Sequence, residues 1–118
     1  GNAVRNLFDS LYQPTAIFAA SDFLALTVLK VARSLVLRVP SDVSLVVFDD
    51  NSLVQQAEPP LTAVSQPNSR IGEEAMGLLL DRIANPEIPL VQRLIVPSMV
   101  LRSSTGPIRM DPPLARAQ

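Results

Sequence analysis

Asp49 and Asp50 follow the apolar run Leu45-Val46-Val47-Phe48, so a strand fit for burial ends in two adjacent like charges. Two more apolar runs end in polar groups. Ser21-Asp22 follows TAIFAA (15–20), and Gln66 follows LTAVS (61–65). In an open parallel sheet, ligands bind beyond the carboxyl ends of the strands. If these strands are neighbours, Ser21, Asp49 and Gln66 line one crevice. Such a set suits a polyhydroxylated or amide-bearing ligand. A carboxylate accepts from two hydroxyls at once, and charge-assisted bonds are stronger than neutral ones. Each group also has a purely structural reading. Ser21 and Asp22 can start a helix as cap and dipole partner. Asp49-Asp50 can be a solvated βα turn, and Gln66 before Pro67 can lie on the surface. Residue type alone leaves both readings open.

Catalysis finds little support. The 118 residues contain no cysteine and no histidine. That removes thiolate sites, the commonest metal ligand and the commonest general base near neutral pH. A Mg²⁺-dependent phosphoryl-transfer site would use acidic residues after a strand, but it also needs a lysine at a strand end or loop. Lys30 is the only lysine, and it falls inside a helical pattern. Gly1, Gly72, Gly77 and Gly106 form no phosphate-binding loop. The reading is a non-enzyme with no catalytic residue, no metal and no cofactor. A net charge of −1 supplies no basic surplus for gripping nucleic acid. No apolar run reaches the ~18 residues of a membrane span, so no membrane partner is expected. With 47% apolar and 18% charged residues, the chain is globular rather than disordered. The start GNAVRNLFDS lacks methionine and signal-peptide character, which suggests a portion of a longer protein.

The elements that must carry these groups alternate. Residues 3–12 place Val4, Leu7, Phe8 and Leu11 on one helical face. TAIFAA is a buried strand. A helix from Ser21-Asp22 to about Val36 is apolar nearly all round, which predicts burial on more than one side. LRVPSDVS (37–44) connects to the strand SLVVF (44–48). SLVQQAE (52–58) is a short helix and LTAVSQ (61–66) a third strand. An amphipathic helix over 68–84 puts Ile71, Ala75, Leu78, Leu79 and Ile83 on one face. RLIVPSMVLR (93–102) is extended, with Pro97 at a bulge or edge. Strands alternating with helices predict an α/β fold with a mainly parallel sheet flanked by helices.

The segments PTAIFAASDFLAL (14–26), LRVPSDVSLVVFDD (37–50), PPLTAVSQP (59–67), IGEEAMGLLLDRI (71–83) and MVLRSST (99–105) follow in order. Together they resemble the C-terminal part of the effector-binding core of LacI/GalR-type bacterial transcription regulators. The typical forms there are AxND, GLRVPxDVSVVGFDD, PPLTTVxQP and LVxRxST. The resemblance covers roughly residues 10–105. It implies a periplasmic-binding-protein-like (type I) fold of two lobes with a sugar or nucleobase-like effector between them. It also implies a cytoplasmic homo-oligomer that meets operator DNA only through an N-terminal domain absent from this chain. By motif position, Asp49 is the effector aspartate, Ser21 replaces an asparagine that touches the effector, and Gln66 lies near the crossover between lobes. Asp22 is assigned to helix-start capping. Asp50 is expected to face away from the crevice and help begin the turn into 52–58.

The same resemblance puts Leu24, Leu26, Leu29, Phe48, Leu53 and Val54 at a dimer interface. Residues 1–105 then form the effector-binding and dimerisation portion. Within it, 1–66 belong to the second lobe, 67–92 are a crossover helix of the first lobe, and 93–105 are a returning strand. Residues 106–118 form a disordered tail. Val47 stands where the typical form has glycine. Without the rest of the first lobe, the face Ile71, Ala75, Leu79, Ile83 needs another partner, by folding back or by exchange between chains. A periplasmic sugar-binding protein of related fold is the alternative, and the apolar dimer-type helix favours the regulator.

Overall fold

The structure, a computed structural model, describes residues 2–10 and 13–108. Leu11, expected on the first helical face, lies outside the described residues, as does the tail from residue 109 on. The elements alternate as the sequence predicts: α1 (Asn2–Asp9), β1 (Ala16–Ala19), α2 (Asp22–Ser34), β2 (Ser44–Phe48), α3 (Ser52–Gln55), β3 (Thr62–Ser65), α4 (Asn68–Ala84) and β4 (Ser98–Val100). The strands lie in the order β1-β2-β3-β4, and β1–β2 and β2–β3 are both parallel. The chain divides into two compact units, one up to Ser65 and again from Met99, the other Gln66–Ser98.

In the first unit the core gathers Leu45 and Val47 of β2, Leu61 and Ala63 around β3, and Ala25, Val28, Leu29 and Ala32 of α2. Burial alternates along β2: Leu45 and Val47 are fully buried, while Ser44, Val46 and Phe48 are half-buried. TAIFAA, expected as a buried strand, is buried only in part, with Ala19 buried and Ala16 and Phe18 exposed. One face carries the core, and Phe18 of β1 stays 59% exposed on the other. There it meets Phe48 edge to face, with ring centroids 6.5 Å apart. Val47, the departure from the typical glycine, fills core volume at 0% exposure.

α2 ends in a Schellman motif. Leu37 N–H donates to the Ala32 carbonyl at 2.9 Å and Val36 N–H to the Arg33 carbonyl at 3.0 Å. That closure requires a left-handed residue, usually glycine. Here it is Val36, with φ 58°. Asp42 then closes the turn by accepting from Arg38 N–H at 2.8 Å and Arg38 Nε at 3.1 Å.

The segment after β4 returns to the entry ends of β2 and β3. Ser104 is fully buried. Its Oγ accepts from Thr62 N–H at 2.7 Å and donates to the Leu45 carbonyl. Its own carbonyl accepts from Leu45 N–H at 2.8 Å. Thus Ser104 pairs backbone groups that would otherwise be buried without partners.

In the second unit, α4 runs over the expected span but buries none of its residues. Arg82 caps its end by donating to the Pro86 carbonyl at 3.0 Å, and Arg93 lies 3.8 Å from Glu74. The extended stretch expected at 93–102 shortens to a strand at 98–100 that starts directly after Pro97. Proline has no N–H for a ladder, and Leu94 and Val96 just before it are exposed.

Candidate functional site

β1 and β2 are parallel in the register Ala19↔Val47. Ser21 follows β1 and Asp49 follows β2, so both lie past the carboxyl ends of neighbouring parallel strands. β3 runs alongside with Phe48↔Val64. The sheet thus sets Ser21 and Asp49 at its carboxyl edge in the first unit. Gln66, half-buried, is the first residue of the second unit, and its carbonyl accepts from Asn68 N–H at 2.9 Å.

Ser21 is the N-cap of α2, its Oγ accepting from Leu24 N–H at 3.4 Å. Asp22 sits in the first turn, where Oδ1 accepts from Phe23 N–H at 2.7 Å. Its other oxygen does something the sequence reading missed. Oδ2 accepts from Asn51 Nδ2 at 2.7 Å, tying the start of α2 to the start of α3.

Asp49 has φ 76°, in the left-handed region that non-glycine residues seldom occupy. Aspartate tolerates it because its side chain is short and polar. The conformation turns the chain sharply as it leaves β2, and Asp49 N–H still donates to the Val64 carbonyl at 3.0 Å.

Asp50 directly precedes the start of α3, and its Oδ1 accepts from Gln55 Nε2 of that helix at 3.4 Å. The cap of α3 is Asn51, whose Oδ1 accepts from Leu53 N–H at 3.0 Å and Val54 N–H at 3.1 Å. Asp50 also faces Arg102. Nη1 lies 2.8 Å from Oδ1, and Nη2 donates to Oδ2 at 2.9 Å, a two-pronged pair. Nη1 also donates to the Leu61 carbonyl at 2.8 Å. Only 10% of the Asp50 side chain is exposed, and the Arg102 guanidinium holds its carboxyl below the ordinary carboxylate range against the opposing effect of burial. The two adjacent aspartates therefore do not stand as a bare like-charge pair, because one is neutralised by an arginine. Arg102 lies inside MVLRSST, and that motif was the only available signal for it.

The expected interface residues separate by burial. Leu29 and Val54 lie in this chain's own core, 6% and 0% exposed, and offer no surface to a partner. Their apolar character comes from intramolecular packing. Leu26 and Phe48 are half-buried, while Leu24 and Leu53 remain 44% and 57% exposed.

The periplasmic binding protein-like domain family matches residues 2–105. The transcriptional repressor CytR of Escherichia coli K12 is 41% identical over 103 residues, covering 87% of this chain and 30% of that protein. Among solved structures, the complex of the transcriptional regulator CelR with cellobiose superimposes with a TM-score of 0.81 at 39% identity, over 87% of this chain and 32% of that one. The lac repressor dimer bound to operator and the anti-inducer ONPF gives 0.79 at 27% identity, over 88% of this chain and 36% of that one. The chain thus spans about a third of the length of these relatives.

Proposed function

This chain belongs to the periplasmic binding protein-like family, in the form carried by LacI-type transcriptional regulators, and on that premise we propose that it is the C-terminal part of a regulator's effector-sensing and dimerisation core. The effector is a sugar or sugar-like molecule with adjacent hydroxyls. Asp49 receives those hydroxyls at the sheet edge, and Ser21 after β1 and Gln66 after β3 are the further candidate contacts. The observation that carries this reading is the left-handed Asp49 just past the carboxyl end of a central parallel strand, with Ser21 just past the end of the neighbouring one. The cellobiose bound by the similar regulator CelR supports the ligand class. Operator DNA is reached through a separate N-terminal domain, in the cytoplasm. Leu24 and Leu53, with Phe23 at 75% exposure, supply the apolar part of a dimer surface.

Calorimetric titration of the full-length protein that carries this chain with cellobiose and a panel of mono- and disaccharides tests the site. Asp49→Ala is expected to weaken binding of the recognised sugar by about 10- to 100-fold, the worth of a charge-assisted hydrogen bond. Binding as tight as the wild type's would overturn the assignment.

A further inference from the structure

If Asp49 is the effector contact, something must hold it in a conformation that the backbone alone does not favour. A non-glycine residue at φ 76° persists only where its surroundings over-determine it. Left to itself, the peptide after Asp49 would rotate toward an ordinary β or right-handed conformation. The two residues that follow are both gripped by side chains from distant elements. Asp50 is held by both prongs of Arg102, which also reaches the Leu61 carbonyl at the entry to β3. Asn51 is held by Asp22 in the first turn of α2 while it caps α3.

We propose that Arg102 and Asn51 are positioning residues for Asp49, fixing the two positions after it so that its backbone stays left-handed and its carboxylate is presented at the sheet edge. The proposal rests on the reading of Asp49 as the effector contact. Neither residue touches the effector. Each acts through the chain, and each anchors to a different neighbour, so the loss of one clamp leaves the other working.

Conservative variants separate positioning from folding. Asn51→Ser keeps a side chain able to cap α3 but is too short to span to Asp22. Arg102→Lys keeps the charge and loses the two-pronged geometry. The measurement is amide hydrogen exchange by NMR, comparing the Asp49 N–H with that of Val47, two residues earlier in the same strand. Each variant is expected to speed Asp49 exchange about 10-fold relative to Val47, and the double variant more, because local opening is released while the core is untouched. A merely structural role would accelerate both amides in step. Acceleration in step, or none at Asp49, overturns the proposal whatever the sugar titrations give. Asp49→Ala titrating like wild type overturns the effector reading whatever the exchange gives, so the two failures are distinguishable.

Discussion

The pairing of Asp50 with Arg102 gives the protein a defined acid sensitivity. Arg102 lowers the Asp50 carboxyl below its ordinary value in the folded state. A carboxylate with a depressed folded-state pKa stabilises the fold above the unfolded value of about 4, and that contribution is lost as the pH falls through the folded value. Asp50→Asn is therefore expected to lower stability by about 1–3 kcal/mol at pH 7. The gap to wild type should shrink as the pH falls below about 4, read as urea midpoints. A gap that stayed constant down to pH 3 would contradict the role of the ion pair. The sequence made Ser21 and Asp49 visible because each directly follows an apolar strand run. It could not show Arg102 or Asn51, since their partners lie 52 and 29 residues away along the chain.

The elements were legible wherever periodicity and punctuation agreed. SLVVF is the strand β2 and NSRIGEEAMGLLLDRIA the helix α4. Their limits follow from a continuous apolar run ended by Asp49-Asp50 in one case, and from Pro67 and Asn85-Pro86 in the other. The end of α2 is different. Val36 occupies a position where the resembled motif GLRVP begins with glycine, and it holds φ 58° with 85% exposure. A β-branched residue in that region costs about 1–2 kcal/mol, while its exposed side chain contributes little burial. Val36→Gly is expected to stabilise the protein by about 1 kcal/mol after the added unfolded-state entropy of glycine. Thermal unfolding should show this as a midpoint several degrees higher. An unchanged or lower midpoint would mean that the Val36 side chain makes a stabilising contact.

At the scale of the whole chain, burial is unevenly distributed. The unit built on β1, β2 and β3 holds the core, whereas α4 buries nothing. Ile71, Met76, Leu79, Leu80 and Ile83 are exposed between 36% and 67%, and Leu90 and Leu94 still more. Exposed apolar side chains in this number on one unit drive association. The chain by itself is expected to self-associate as its concentration rises, with light scattering giving at least double its 12.8 kDa. Leu79→Glu with Ile83→Glu should return it toward the single-chain mass. A wild-type mass of one chain throughout would show that this face is inert.

Local chemistry explains what the sequence determined on its own. Alternation of apolar strands and helices set the α/β class, and polar residues directly after strands marked Ser21 and Asp49. Both depend on residues close together in the chain, where period and turn chemistry act directly. Tertiary structure alone decided which aspartate carries an arginine, which polar residue caps α3, and which apolar residues form the core. Leu29 and Leu24 are equally apolar in sequence, yet one is buried and the other exposed. Burial, ion pairing and the left-handed turn at Asp49 each depend on groups brought together from distant parts of the chain, and only the packed sheet fixes those distances.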